Sequence, residues 1–377
     1  MTKILFIATQ DKAFLSHRQN LIEFAKLKNL STEVVCKVTN NLEDLKKLKS
    51  KFYDWEISRG SLNLLREIIS FYKLYKIIKL SNPDLIHSVS IKPSLYGGIL
   101  NILFFKKPIV FAFGGLGFIF NSKKKLARII RLIVKFLFKI IFRYSKGYLI
   151  LQNNDDKLKL IKQKIVKEEF ITIIPGSGVN TNKFKKRVYR KNRKEIVVMF
   201  AGRILWDKGI KEFILLSKEL KKCFSYVRFV IVGEVDYHNP EHVKDHYIQN
   251  WKKEGFVEFW GFSSNMKETL LKADIFCFPS YREGFPKVLL EAASLEIPII
   301  SFDVPGCREI VKNLVNGYLV KFKDQKNLES SVLRLIKSRT ERTRMGKNGR
   351  NLVIKNFSDQ VVTKMTYDKW KLLINNF

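Results

Sequence analysis

Cysteine is scarce in this chain and scattered: Cys36, Cys223, Cys277 and Cys307, with no CxxC pair. That argues against a disulfide scaffold or a cysteine zinc site, and fits a reducing cytoplasm. Acidic residues are also short, 35 Asp and Glu against 70 Lys and Arg. There are only 9 prolines, and no low-complexity tract or fixed-period repeat. No uncharged apolar run reaches the length of a membrane span, roughly 18 residues. The opening MTKILFIATQDK has too short an apolar run for a signal peptide and reads as a strand. ATQDKAFLSHR follows that strand where a dinucleotide-binding protein would carry GxGxxG, so a redox cofactor is disfavoured. No Walker A loop is present, which excludes P-loop phosphoryl transfer, and no HExxH.

What is present is apolar and basic. A 46% hydrophobic content with 30 Phe excludes a largely disordered chain, and 377 residues suffice for two domains, each with its own core. The formal charge of +35 calls for an anionic partner: nucleic acid, an anionic membrane or a phosphorylated substrate. The excess is uneven, being strong across 61–150 and 176–200 and balanced across 201–320. Its densest piece is 123–146, KKKLARIIRLIVKFLFKIIFRYSK, with nine basic residues and no acid. Arg128, Arg131, Lys135, Lys139 and Arg143 recur every three or four residues, along one helix face. Two readings stay open: a membrane-surface helix, or a core helix with a solvated basic face. A second basic-aromatic stretch, Phe71 to Lys79, favours the membrane face.

Apolar runs at Ile4–Ala8, Glu33–Val38, Leu85–Val89, Ile109–Phe113 and Tyr148–Gln152 predict buried parallel strands, with helical periods between them. The rhythm stops near PGSGVNTNKF (175–184) and restarts at Ile196–Ala201, Val227–Val232, Phe256–Trp260, Ile275–Phe278 and Ile297–Phe302. The fold class is therefore α/β, with two Rossmann-like doubly wound domains facing a central cleft. The boundaries expected are a first domain at 1–180, a linker at 181–194, a second domain at 195–357, and a helix at 358–377 packing back toward the first domain.

Two constellations follow strands of the second half. Pro279 to Glu291 contains Gly284, Phe285 and Pro286, which suit a turn into a helix whose first amides are orphan donors for a diphosphate. Glu283 and Glu291 are carboxylates fit to accept sugar hydroxyls, or else a cap and an exposed acid. Phe200 to Gly209 places Arg203 and Lys208 at a matching strand end, two cations able to neutralise a diphosphate without a metal. His238, His242 and His246 recur every four residues, yet Pro240 interrupts them and a solvated loop and helix is the favoured reading.

These residues resemble the retaining GT-B glycosyltransferases of the large family four type, glycosyl transferases group 1. The resemblance runs nearly end to end, through Leu15–Arg18, Ser58–Asn63, Gly114–Phe118, Gly178–Asn180, Arg203, Lys208, Glu283, Glu291 and Val304–Glu309. It is nearest to bacterial N-acetylhexosaminyl and galactosyl transferases that extend undecaprenyl-diphosphate-linked sugars. The resemblance implies that Arg203 and Lys208 hold the donor diphosphate, Glu291 the ribose hydroxyls and Glu283 the donor sugar, with Gly284, Phe285 and Pro286 lining the donor site. It implies a UDP-sugar donor, no metal and no other cofactor, in keeping with the lack of a DxD in the second half. Where many relatives have a His or acid after the strand ending here at Phe113, this chain has Gly114-Gly115. His17, next to Arg18 on the first strand–helix loop, is then the remaining catalytic candidate of the first domain, with Arg18, Gly114 and Gly115 on the acceptor side. The resemblance makes the first domain the acceptor-side and membrane-facing one and the second the nucleotide-sugar donor domain. The expected partners are a nucleotide-sugar, an undecaprenyl-diphosphate-linked saccharide and, through 123–146, an anionic membrane, with no nucleic acid. The expected location is the cytoplasmic face of the inner membrane. A basic nucleic-acid binder and a nucleotide-sugar epimerase on the same scaffold are the alternatives.

Overall fold

The structure is a computed structural model. It describes residues 1–39, 41–58, 63–117, 120, 125–145, 147–185 and 195–375. Residues 59–62 and 118 of the motifs above, Lys123, Lys124 and Lys146 of the basic segment, and linker positions 186–194 lie outside the described residues.

The chain forms two units, Met1–Ser177 with Val362–Phe377, and Gly178–Val361. The first holds a seven-stranded sheet in the order β3-β2-β1-β4-β5-β6-β7. Its strands are β1 (Lys3–Gln10), β2 (Ser31–Lys37), β3 (Lys51–Asp54), β4 (Leu85–Val89), β5 (Ile109–Ala112), β6 (Tyr148–Leu151) and β7 (Ile171–Ile173), all paired in parallel. The second holds β10-β9-β8-β11-β12-β13. These are β8 (Ile196–Ala201), β9 (Val227–Val232), β10 (Glu258–Gly261), β11 (Ile275–Phe278), β12 (Ile299–Phe302) and β13 (Gly317–Val320), again parallel. In both sheets the strand order reverses beside the first strand, which is the doubly wound arrangement.

Helices cover both faces of the first sheet, so its inner strands are largely apolar. Along β1, Ile4 and Phe6 join the core beneath helices Asp11–Leu27 and Asp359–Asn375, while Leu5 and Ile7 join the core beneath Leu64–Ser81, Ile91–Leu100 and Lys125–Tyr144. The strands that pattern reading misses, β3, β7 and β13, are short, and all three lie at sheet edges. Lys51–Asp54 reads KFYD and buries none of its residues, so it carries no apolar run to detect.

One expectation needs correction here. His17 and Arg18 lie within a helix, not a strand–helix loop, because Asp11–Leu27 starts directly after β1. Phe14, Leu21, Ile22 and Ala25 recur at helical spacing and are buried, and Asp11 accepts from the backbone N–H groups of Lys12, Thr39 and Asn41. Arg18 follows Phe14 by four residues and shares its buried face.

The C-terminal helix Asp359–Asn375 belongs to the first unit, where Trp370 is fully buried. Its Nε1–H donates to Nδ1 of the buried His87 on β4 at 3.0 Å. Burial, with the nearby Arg18 charge adding to it, holds His87 well below the usual imidazole range, so it accepts this bond as a neutral ring. Trp370→Phe should cost about 1–3 kcal/mol by leaving that nitrogen buried and unpaired. Trp370→Ala should cost about 3–5 kcal/mol by adding a cavity. Denaturant unfolding of the purified variants checks both values and their order.

Candidate active site

The second unit builds a site where its strand order reverses. β8 and β11 are neighbours there, and the loops leaving their C-terminal ends run side by side. Gly209 makes this approach possible. Its φ is +77°, and a Cβ on it would lie 1.9 Å from the carbonyl oxygen of Pro279. The loops are also tied by a hydrogen bond, Tyr281 N–H to Asp207 O at 2.9 Å. A third loop, following β12, meets them where Glu283 N–H donates to Pro305 O at 3.3 Å.

These contacts bring Lys208 and Glu283 together. Lys208 Nζ donates to Glu283 Oε1 at 2.6 Å, and Ser280 Oγ donates to the same oxygen at 2.8 Å. Both side chains of the pair are only 13% exposed, so water screens their attraction less than at the open surface. Arg203, at the end of β8, is the accessible cation, and its Nη1 donates to Asp236 Oδ2 at 2.6 Å. Each cation therefore already rests on a carboxylate. An ammonium has three donors and a guanidinium five, so both retain capacity toward a phosphate. Burial raises the Asp207 carboxyl above its ordinary range beside this pair, against the pull of Lys208. Pro286 stands just before helix Lys287–Ser294, with φ −72°. Gly284 precedes it, while the Phe285 ring turns into the core, edge-on to Phe357 at 5.3 Å. Only the backbone of Phe285 is left to line a site.

Glu291 lies one turn beyond Lys287 on that helix. Burial pushes its carboxyl up to about 7, against the opposing charges of Lys287 and Lys183. Sequence reasoning assigned no role to Ser280, Asp207 or Asp236. Ser280 could have been noticed as a small hydroxyl directly after an all-apolar strand. Asp236 lies 33 residues from its partner, and no spacing rule links them.

The first-unit candidates follow β1 and β5. His17 is exposed, with its Nδ1 3.3 Å from Ser177 Oγ. Arg18 is 8% exposed, its Nη1 donating to His17 O, and desolvation lowers it to about 10. It is thus buried, not a side chain extended toward an acceptor. Gly114 and Gly115 follow β5, and a Cβ at Gly114 would come no closer than 3.8 Å to another group. His242 binds Asn239 O through Nδ1 at 2.8 Å, and His246 stacks on Tyr247. Among the described residues no cluster of His, Cys, Asp and Glu could hold a metal.

The same unit carries an apolar surface. Helix Lys125–Tyr144 buries Ala127, Val134, Phe138, Ile141 and Phe142, yet leaves Leu126, Ile129, Leu132, Ile133 and Phe136 exposed. Its basic residues therefore flank an exposed apolar stripe, an arrangement that a core helix with a solvated basic face does not have. Helix Leu64–Ser81 exposes Leu64, Leu65, Ile68, Ile69 and Tyr72, and Leu103 and Phe104 extend this surface next to Tyr75. Among the described residues no helix is long and apolar enough to cross a membrane.

Two doubly wound parallel sheets, one with paired carboxylates and cations at its strand-order reversal, define an α/β protein of the GT-B class. Residues 181–352 match the family model described as glycosyl transferases group 1, and 3–152 match glycosyl transferase 4-like. The chain is 30% identical over 359 residues to the N,N'-diacetylbacillosaminyl-diphospho-undecaprenol alpha-1,3-N-acetylgalactosaminyltransferase of Campylobacter jejuni, covering 92% of each. It is 27% identical over 355 residues to the UDP-Gal:alpha-D-GlcNAc-diphosphoundecaprenol alpha-1,3-galactosyltransferase of Escherichia coli, covering 90% of this chain and 89% of that one. A solved glycosyltransferase from Rickettsia africae superposes with a TM-score of 0.80 at 16% identity, over 100% of both chains. The chain belongs to the group 1 glycosyl transferases and is a glycosyltransferase.

The raised Glu291 carboxyl has a consequence for stability. The folded protein holds this proton up to about pH 7, whereas the unfolded chain releases it near 4.5. Stability contributed by this site is therefore present below 4.5 and is lost as pH rises to about 7. Glu291→Gln should remove that slope and stabilise the protein above pH 7 by on the order of 1–3 kcal/mol. Unfolding midpoints measured from pH 4.5 to 8 check it.

Proposed function

We propose that this enzyme transfers a hexose or N-acetylhexosamine from a UDP-sugar to a saccharide carried on undecaprenyl diphosphate, with retention at the anomeric carbon and without a metal. The observation that carries this reading is the joined pair of loops after β8 and β11, which sets Arg203, Lys208 and Glu283 at the strand-order reversal of one sheet. The names of the Campylobacter and Escherichia relatives support the lipid-linked acceptor, and the latter's name supports UDP.

In this reading Arg203 and Lys208 hold the diphosphate, and their charge stabilises the dianion as it departs. The anomeric carbon–oxygen bond to UDP breaks while the acceptor oxygen bonds to the same face. The acceptor's proton passes to the leaving diphosphate oxygen. Glu283, held by Lys208 and Ser280 through Oε1, keeps Oε2 for a donor sugar hydroxyl. Glu291 accepts from the ribose hydroxyls as a carboxylate, so donor binding favours its ionised form. Calorimetry near pH 7 in buffers of different ionisation enthalpy should record net proton release, up to one per UDP bound. Glu291→Gln should abolish the release.

Calorimetry of UDP, GDP and ADP in EDTA tests the core of the reading. Selective UDP binding, with Arg203→Ala and Glu283→Gln each lowering transfer on the order of 100- to 1,000-fold in a folded protein, is the expected result. Full activity in both variants, or no nucleotide binding, overturns it.

The exposed stripe on helix Lys125–Tyr144 supports seating on an anionic membrane at the cytoplasmic face, where the lipid-linked acceptor would be met. Leu132→Asp with Phe136→Asp should weaken sedimentation with phosphatidylglycerol vesicles at least tenfold and leave the thermal midpoint unchanged, since both side chains are exposed. Unchanged vesicle binding would remove the membrane role of this helix.

A further inference from the structure

A groove of about 980 Å³ lies in the first unit at the C-terminal end of helix Lys125–Tyr144. Tyr148, which opens β6, and Phe170, just before β7, both line it. It therefore sits at the N-terminal edge of that sheet, away from the strand ends where doubly wound folds bind substrates. Its apolar wall includes Phe142, Ile165, Phe170 and Leu373, with Tyr148 and Phe170 packed edge to face at 6.1 Å.

Four cations line the same groove: Lys139, Arg143, Lys164 and Lys167. The acid among the lining residues is Glu168, which pairs with Lys157 at 2.8 Å. Lys167 lies 3.5 Å from Glu169, in an exposed pair. Ser145, 7% exposed, also lines the groove. The groove is also continuous with the apolar stripe above. Leu132, Phe136, Lys139 and Arg143 follow one another at steps of four, three and four, so the exposed apolar residues lead into two of the lining cations.

Apolar wall and surplus positive charge together select an amphiphile carrying a phosphate. Free phosphate would leave the apolar wall unused, and a neutral lipid would leave the cations unanswered. We propose that the groove holds one anionic phospholipid, its phosphate against the cations and the upper part of an acyl chain along the Phe142–Phe170 wall. The proposal extends the membrane reading, but its test needs no membrane.

Full-length protein is titrated calorimetrically with dihexanoyl phosphatidylglycerol below its micelle concentration, and separately with dihexanoyl phosphatidylcholine and inorganic phosphate. The expected result is saturable one-to-one binding of the phosphatidylglycerol, at least tenfold tighter than either comparison ligand. Lys164→Glu with Lys167→Glu should weaken it at least tenfold while UDP affinity stays unchanged. Phosphate binding as tightly as the lipid reduces the groove to an anion patch and overturns the proposal. So does equal binding of the phosphatidylcholine, non-saturable binding, or an unaffected double variant. Vesicle sedimentation of the Leu132→Asp, Phe136→Asp protein reports on the helix alone, so failure of the groove and failure of the membrane reading are seen separately.

Discussion

Parallel pairing beside a reversal of strand order is the constraint on which the site depends. Each sheet is covered by helices, so its inner strands must be largely apolar and their polar business falls to the loops. At β8 and β11 the crossovers depart in opposite directions, leaving two adjacent loops with no helix packed between them. The chain uses that opening for backbone-to-backbone contact at Gly209 and Pro279, and side chains of opposite sign gather around it.

Lys208, Glu283 and Ser280 form one small network, not three separate binding groups. A buried ion pair gains little net stability, because desolvating both charges offsets most of their attraction. Its value here is positional. Two donors fix one oxygen of Glu283, which leaves its second oxygen and the remaining Lys208 protons at defined places. A site already in shape when the donor arrives spends little on reorganisation. Arg203 is more exposed, and Asp236 holds it, so of the two cations it is the one with room to adjust.

Much of this was legible in the chain. Long apolar strands such as Ile196–Ala201 and Leu85–Val89 appear where their patterns put them, because burial on both faces leaves few alternatives. The loops after β8 and β11 were legible for a similar reason: glycine, proline and charge directly after an apolar run mark a strand end. Three of the four edge strands escaped, KFYD because one open side removes the demand for apolar residues, and the apolar Ile171–Ile173 and Gly317–Val320 because they are short. Arg18 was misplaced because its charge masks a helical period set by Phe14, Leu21 and Ile22. Links such as Arg203–Asp236 depend on neighbouring strands and leave no periodic trace in the sequence. The basic segment was ambiguous because a helix with apolar residues on two sides satisfies both of its readings, and only burial, residue by residue, tells those sides apart.

The return of the last helix to the first unit bears on how the protein is made. The second unit is one continuous stretch, Gly178–Val361, while the first is assembled from both ends of the chain. As the chain leaves the ribosome, the larger part of the first unit emerges early but without the indole that caps His87. The second unit has all of its residues before the first has received its final helix. Nascent chains stopped before Trp370 would thus hold a complete second unit beside a first unit whose core is still open at Phe6 and His87, the two rings that Trp370 covers. During synthesis, the order in which this enzyme becomes whole is the reverse of the order in which its domains are written.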